Sequence, residues 1–322
     1  MNNAVSSRLF PSQEKISSVV PIILLFIALI ALSCTAIFIK ISVAEISANA
    51  TVFNRLWLAT LVFGIWNISS QIRQHQSLKD QQNPPPSLIK STSFKTIGLF
   101  VAVALVHVTG RFLWTWSLTQ TSAANSTVLA NLTPIFTTIG GGLFLQQYFD
   151  RRFAIGLVFA ILGATTLGVE DWQISFQSLI GDGAALLSAL FYTASFLLVE
   201  QLRNKFSSQE ILIWRCLIGT IVMIPVVLLV EDQMFPISWI GWLSVIGLAV
   251  ICEGLGHGLV VYSLKRFSSS FVTLFLLLEP VIVAILAWIL FAEQLSLLSW
   301  VAFALILAGI YLAKTGKGAE KA

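Results

Sequence analysis

Two pairs of ionisable residues lie four apart within apolar stretches: His107 with Arg111, and Glu253 with His257. On an α-helix that spacing puts both members of a pair on one face, and Trp114 continues the face of the first. At a rise of about 1.5 Å per residue, His107 and Glu253 fall at the same mid-bilayer depth. Charge in hydrocarbon is costly, and by default it marks a solute path or a proton relay. These side chains suit a small polar solute. Arg111 offers a fork for a carboxylate. Glu253 would take an ammonium or a proton, and the two histidines titrate near neutrality. Glu279 adds a second carboxyl beside Pro280 in the middle of an apolar run. It reads equally as a proton or amine acceptor and as support for a kink. Asn131, with Asn125 and Thr127, supplies further donors, whose commoner use is bonding between helices. The bland reading of the centre is an ion pair between Glu253 and Arg111 that locks the bundle. Glu253 is the expected partner of Arg111 on either reading.

Such groups need a membrane bundle to hold them, and the composition supplies one. The 322 residues are 57% hydrophobic and 11% charged, with mean hydropathy +0.87. A soluble domain carries about 25% charged residues, so the chain reads as an integral membrane protein. The net charge of +4 fits a basic inner face and does not call for nucleic acid as a partner. Cys34, Cys216 and Cys252 lie in apolar spans, with neither a disulfide framework nor metal-ligand spacing. The apolar run from Pro21 to Ile39 follows Arg8 and Lys15. It is too long for a typical signal-peptide core and is expected to be an uncleaved first helix.

Ten segments meet the length of about 20 apolar residues that a crossing needs. They are 21–41, 48–69, 95–117, 122–146, 152–169, 178–200, 208–230, 237–262, 268–291 and 296–314. Residues 70–94 form a polar linker containing Pro84-Pro85-Pro86. With the N-terminus placed in the cytoplasm, fifteen of the nineteen basic residues fall on the cytoplasmic side, and acids such as Glu45, Glu231 and Glu293 fall outside. Lys40, Arg55, Arg111 and Arg215 remain within spans or at their edges. Arg55 and Arg215, near helix starts, are expected to snorkel or to pair with Glu200 or Glu45.

A shift of 146 residues lays Pro280 on Pro134, Gly309 on Gly163 and Glu293 on Gln147, and a shift of 160 lays Arg215 on Arg55. Five spans per half is odd, so the halves must be inverted copies, with a solute site expected at their interface near the midplane. Pro134 and Pro280 are expected to be hinges or kinks. Gly254 and Gly258 form a small-xxx-small pair that would permit close packing.

Leu278-Glu279-Pro280, then Ala292-Glu293-Gln294-Leu295, then Leu307 to Leu312 (L-A-G-I-Y-L), resemble the EamA-type members of the drug/metabolite transporter superfamily. Leu132-Thr133-Pro134 and Gly163 are the weaker copy in the first half. Two departures stand out. Gln147 replaces an acid, and Leu32-Ser33 replaces the usual Trp-Gly. The resemblance covers about residues 21–314. It implies an all-α membrane protein of ten helices in two inverted five-helix repeats, with no ATP hydrolysis, and a family that often exports amino acids or related metabolites.

The expected domains are a cytoplasmic tail at 1–20, a first repeat at 21–169, a second at 178–314, and a tail at 315–322. The expected function is a secondary transporter, an exporter of small polar metabolites such as amino acids, working by alternating access. It would have no cofactor, and its partners would be a solute and lipid, with a homodimer left open. The expected location is the bacterial inner membrane, both termini cytoplasmic. The alternatives are an organophosphate or nucleotide-sugar exchanger, and a membrane-embedded metal-dependent hydrolase built on His107, His257 and Glu253.

Overall fold

The computed structural model describes residues 19–78, 94–169, 179–291 and 296–321, and these fold into ten helical passes. Helix α1 is Val19–Ser33 continued as Thr35–Val43, and α2 is Ala48–Leu78. Helix α3 is Phe94–Gln120, and α4 is Ala123–Ala130 continued as Thr133–Leu145. Next come α5 (Arg151–Val169), α6 (Leu179–Leu202) and α7 (Ser208–Val230). Helix α8 has three parts: Trp239–Gly247, a π-helical stretch Leu248–His257, and Gly258–Ser263. Helix α9 is Ser269–Leu276 continued as Glu279–Phe291, and α10 is Leu297–Thr315. Among the described residues, seven helices are long and apolar enough by themselves to cross a membrane: α1, α3, α4, α6, α7, α8 and α10. Large apolar side chains point outward all round the bundle. Leu143 is 72% and Leu229 84% exposed, a surface that lipid would cover.

Serine starts many of the passes. Ser122, Ser207, Ser238, Ser268 and Ser296 each accept a backbone N–H from three residues on, at the heads of α4, α7, α8, α9 and α10. Each cap satisfies a donor that the first helical turn leaves free. Ser207 closes a full capping box with Glu210.

The repeat is regular at the level of backbone. A shift of 146 carries both pieces of α4 onto both pieces of α9, and α5 onto α10; a shift of 160 carries the head of α2 onto that of α7. Packing follows the same symmetry. Helix α3 lies on α6 as α8 lies on α1, while α2 pairs with α7 and α5 with α10. The architecture is two inverted five-helix repeats.

Proline sets the breaks in α4 and α9. Pro134 and Pro280 lack the N–H that would close the preceding turn, and each stands second in the resumed helix. In α4 the Thr133 hydroxyl donates to the freed Ala130 carbonyl at 2.7 Å. In α9 the equivalent position is Glu279, with a carboxyl in place of the hydroxyl. The two broken helices meet at Thr137 and Thr273, whose hydroxyls are 2.8 Å apart.

Glycine lets α5 and α10 touch backbone to backbone. A Cβ on Gly163 would lie 2.7 Å from the Ala302 carbonyl oxygen, and one on Gly309 would lie 2.5 Å from the Ala160 nitrogen. The expected Gly254–Gly258 contact is absent. Gly258 has open space around it, and Gly256 takes the packing role, 2.9 Å from Leu32 by the same measure. The π-helical pitch changes which residues share a face, so an α-helical spacing picks the wrong glycine.

Helix α2 runs on through Leu78, into the stretch read as linker. Gln71 to Leu78 are polar but favour helix, so polarity ends the membrane span and not the helix. The rest of that linker, the 1–18 tail, and Glu293 with its turn lie outside the described residues.

The two ends of the bundle are tied differently. At one, Glu45 accepts the Ser238 hydroxyl at 2.6 Å and the Ser238 amide at 2.5 Å, and also the Ile237 amide. The Ser238 hydroxyl and amide hold the Glu45 carboxyl below its ordinary value. At the other end, Gly316–Lys321 lies along the α8–α9 turn. The Ser268 hydroxyl donates to the Gly318 carbonyl at 2.6 Å, the Ser268 amide to Ala319 at 3.0 Å, and the Lys321 amide to Arg266 at 2.9 Å. Glu200 there accepts from Gln147 at 2.6 Å and from the Ser269 amide at 2.7 Å, and pairs with Lys321 at 3.3 Å.

Candidate functional site

Glu253 lies in the π-helical part of α8 and is fully buried. Arg55 Nε donates to its Oε2 at 2.8 Å, and Arg215 Nη2 donates to its Oε1. Both arginines are buried, at 2% and 3% exposure. This corrects the expected pairing with Arg111. It also corrects the snorkelling read for Arg55 and Arg215, which meet neither Glu45 nor Glu200. The reason is symmetry. The two arginines occupy equivalent places in the two repeats, and one carboxylate has two oxygens with which to meet them. The depth of the two arginines, though not their partner, could be read from the sequence. Arg55 is seven residues beyond the head of α2, about 10 Å down the helix axis, and its repeat mate is also an arginine.

Arg111 makes a different contact. Its Nη2 lies 3.4 Å from His107 Nε2, while its Nε is buried without a hydrogen-bond partner among the described residues. His107 is buried at the meeting of three helices. Its ring is 5.9 Å from that of His257 on α8, nearly perpendicular, and 6.3 Å from that of Tyr192 on α6. Gly110 makes the α6 contact close, since a Cβ there would lie 3.1 Å from Phe191 Cβ. Glu279 is half-buried at the break of α9, within reach of the Arg55 and Arg111 charges.

The structure thus brings His107, Arg111, Glu253, His257 and Glu279 into one region, with Arg55, Arg215 and Tyr192 joining them. Trp114 is half-buried three residues on from Arg111. Asn131 caps the first piece of α4. Asn125 is used between helices, donating to Asp182 of α6 at 3.3 Å. Three guanidinium groups, from α2, α3 and α7, face two carboxyls, from α8 and α9. Such a centre can hold a small charged solute through directed hydrogen bonds. Among the described residues no group of three or more His, Cys, Asp or Glu is placed to hold a metal.

An open aromatic cleft of about 460 Å³ lies elsewhere, lined by Phe53, Trp57, Phe235 and Trp242. No sequence pattern singled it out, because its walls come from α2, the α7–α8 loop and α8. None of these four residues is ionisable.

Comparison with known proteins identifies the fold and the family. A solved crystal structure shares the fold with a TM-score of 0.75 at 15% identity, covering 92% of this chain and 98% of that one. An uncharacterized transporter, YxxF of Bacillus subtilis, is 23% identical over 61% of this chain and 63% of its own length. A WAT1-related protein of Arabidopsis thaliana is 34% identical over 43% of this chain and 38% of its own length. The chain therefore spans less than two thirds of the length of these two relatives. A pseudopaline exporter, CntI of Pseudomonas aeruginosa, is 25% identical over 87% of this chain and 91% of its own length. The model of the EamA-like transporter family matches twice, at residues 19–169 and 179–315. That is a family of transporters and not of enzymes, and its two matches take in both inverted repeats: the chain belongs to the EamA-like transporter family.

Proposed function

We propose that this transporter is a secondary exporter of small polar metabolites such as amino acids, and that it works by alternating access around the buried centre between its repeats. The observation that carries the reading is the Arg111 side chain. It is placed among groups from both halves, and among the described residues its buried Nε has no hydrogen-bond partner and no carboxylate forms an ion pair with it. An unpaired polar group of this kind is costly to bury, and a solute carboxylate would satisfy it. In this reading His107, His257 and Glu253 frame the solute with Trp114 and Asn131 alongside, Glu279 exchanges a proton or meets an ammonium, and the breaks at Pro134 and Pro280 flex. The basic end of the bundle, with Arg151, Arg152, Lys265 and Arg266, faces the cytoplasm with both termini, in a bacterial inner membrane. The similarity to an exporter supports the outward direction.

The organophosphate reading gains one observation, the arrival of Arg55 and Arg215 beside Arg111, since clustered cations suit phosphate. Both arginines already hold Glu253, which favours the metabolite reading. The test is counterflow in proteoliposomes. Internal unlabelled amino acid should drive saturable uptake of the labelled compound, and its absence across the proteinogenic set would turn the choice toward phosphate esters.

A further inference from the structure

The charges of the centre do not balance. Arg55 and Arg215 share the single carboxylate of Glu253, which leaves one positive charge over in that trio. Arg111 adds a second. Among the described residues, the remaining acid at the centre is Glu279, within reach of Arg55 and Arg111. Among the described residues, His107, His257, Tyr192, Cys216 and Cys252 are the other titratable groups at the centre, from α3, α8, α6, α7 and α8. With Glu279 ionised and the histidines neutral, the centre holds three positive and two negative charges. A proton on Glu279 or on either histidine raises the excess. The sign is therefore positive whichever of these forms the groups take.

The placement of the unmatched charge matters as much as its sign. Both oxygens of Glu253 are taken, one by each symmetric arginine. Arg111 lies on α3, in the one pair of this centre that has no acid: its repeat mate is His257, and its i−4 neighbour is His107. Its buried Nε has no hydrogen-bond partner among the described residues, and unlike Arg55 and Arg215, which also keep one unbonded nitrogen, it has no ion pair there either. In low dielectric a lone cation is stabilised most by an anion brought to it.

We infer that the solute is a small organic anion, net negative, whose acid group binds Arg111 and makes up the charge the protein lacks. This rests on the carrier reading above and narrows it. A neutral zwitterion brings an ammonium that must find Glu279 or Glu253, and it leaves the positive excess in place. An acidic amino acid or a dicarboxylate removes that excess. Glu253 is the internal anion of the symmetric arginines, and the solute is the anion of Arg111.

The test uses purified full-length protein in detergent at constant ionic strength, with thermal melting as readout. The probes are glutamate, glutarate, acetate and glycerol 3-phosphate against glutamine and lysine. A ligand that binds only the folded state raises the melting temperature. The expected result is stabilisation by at least one anion, with glutamate active at concentrations at least tenfold below those of glutamine and lysine inert. Arg111→Gln should abolish the anion response, and Arg111→Lys should keep part of it. If glycerol 3-phosphate alone acts, the anion stands and phosphate replaces carboxylate as its acid group. Equal or better stabilisation by glutamine or lysine overturns the inference, as does no response of the wild type to any anion. Should Arg111→Gln fail to fold, the wild-type charge series alone decides. Counterflow of a neutral or cationic solute in proteoliposomes, with no anion response in melting, would refute the net-anion inference while the carrier reading survived.

Discussion

Arg55 and Arg215 bind opposite oxygens of one carboxylate, Glu253, although 160 residues separate them in sequence. The contact links the two repeats through side chains. It joins α2 of one repeat, α7 of the other, and the π-helical turn of α8 between them.

The first prediction concerns this trio. Removing one partner of a buried ion pair costs about 3–5 kcal/mol, because the other is left charged and alone. Glu253→Gln strands two guanidinium groups and should lower the melting temperature of the purified protein by more than Arg55→Gln or Arg215→Gln. Adding Arg55→Gln to Glu253→Gln should restore part of the loss, since it removes one of the stranded charges. Strict additivity of the two substitutions would mean that the carboxylate and the guanidinium do not interact.

The second concerns the α5–α10 seam. Gly163→Ala puts a methyl group 2.7 Å from a backbone oxygen, where no side chain can yield. Overpacking of this kind costs about 1–3 kcal/mol. Gly64→Ala, in the middle of α2 with nothing within 4 Å, should instead gain about 0.5–1 kcal/mol from helix propensity. Melting curves of the two variants should move in opposite directions.

A third prediction follows from Glu45. Its carboxyl is held below the ordinary value of 4.5 by the Ser238 hydroxyl and amide. A depressed acid stabilises the folded contact above its unfolded pKa, and the contribution fades as pH falls through the folded one. The tie between the α1–α2 and α7–α8 loops should therefore hold at neutral pH and loosen below about pH 4.5. Hydrogen exchange at the Ser238 amide, corrected for intrinsic rate, should show protection falling over that range. Glu45→Gln should flatten the profile. A profile identical in wild type and variant would assign the protection to other groups.

The fourth tests the break in α9. Pro280→Ala restores a donor that could close the turn and straighten the helix. Transport should fall by more than protein abundance does. A normally inserted variant with wild-type turnover would leave Pro280 a packing role alone.

How much of this was legible in the sequence differs from one group to another. The ten passes and the breaks at Pro134 and Pro280 were open to reading, because apolar length and proline act locally. His107, Arg111, Glu253, His257 and Glu279 could be drawn together because apolar length and the 146-residue shift fix their depth. The partner of Glu253 could not be assigned that way. It depends on how α2 and α7 pack against α8, which no local spacing encodes. Gly254 and Gly258 misled for a related reason. The π-helical stretch rotates the face on which an α-helical count depends, so Gly256 makes the contact. Tyr192, which closes over His107 from α6, has no signal beyond being aromatic in an apolar span.

The central claim, that solute crosses at the Arg111 centre, is tested most directly by proteoliposomes loaded with a metabolite extract. Mass spectrometry of the external medium would compare wild type with Arg111→Gln at matched protein insertion. The account predicts saturable efflux of one or a few small polar acids through the wild type, reduced at least tenfold by Arg111→Gln. Efflux of the same compounds at the same rate through Arg111→Gln would contradict it.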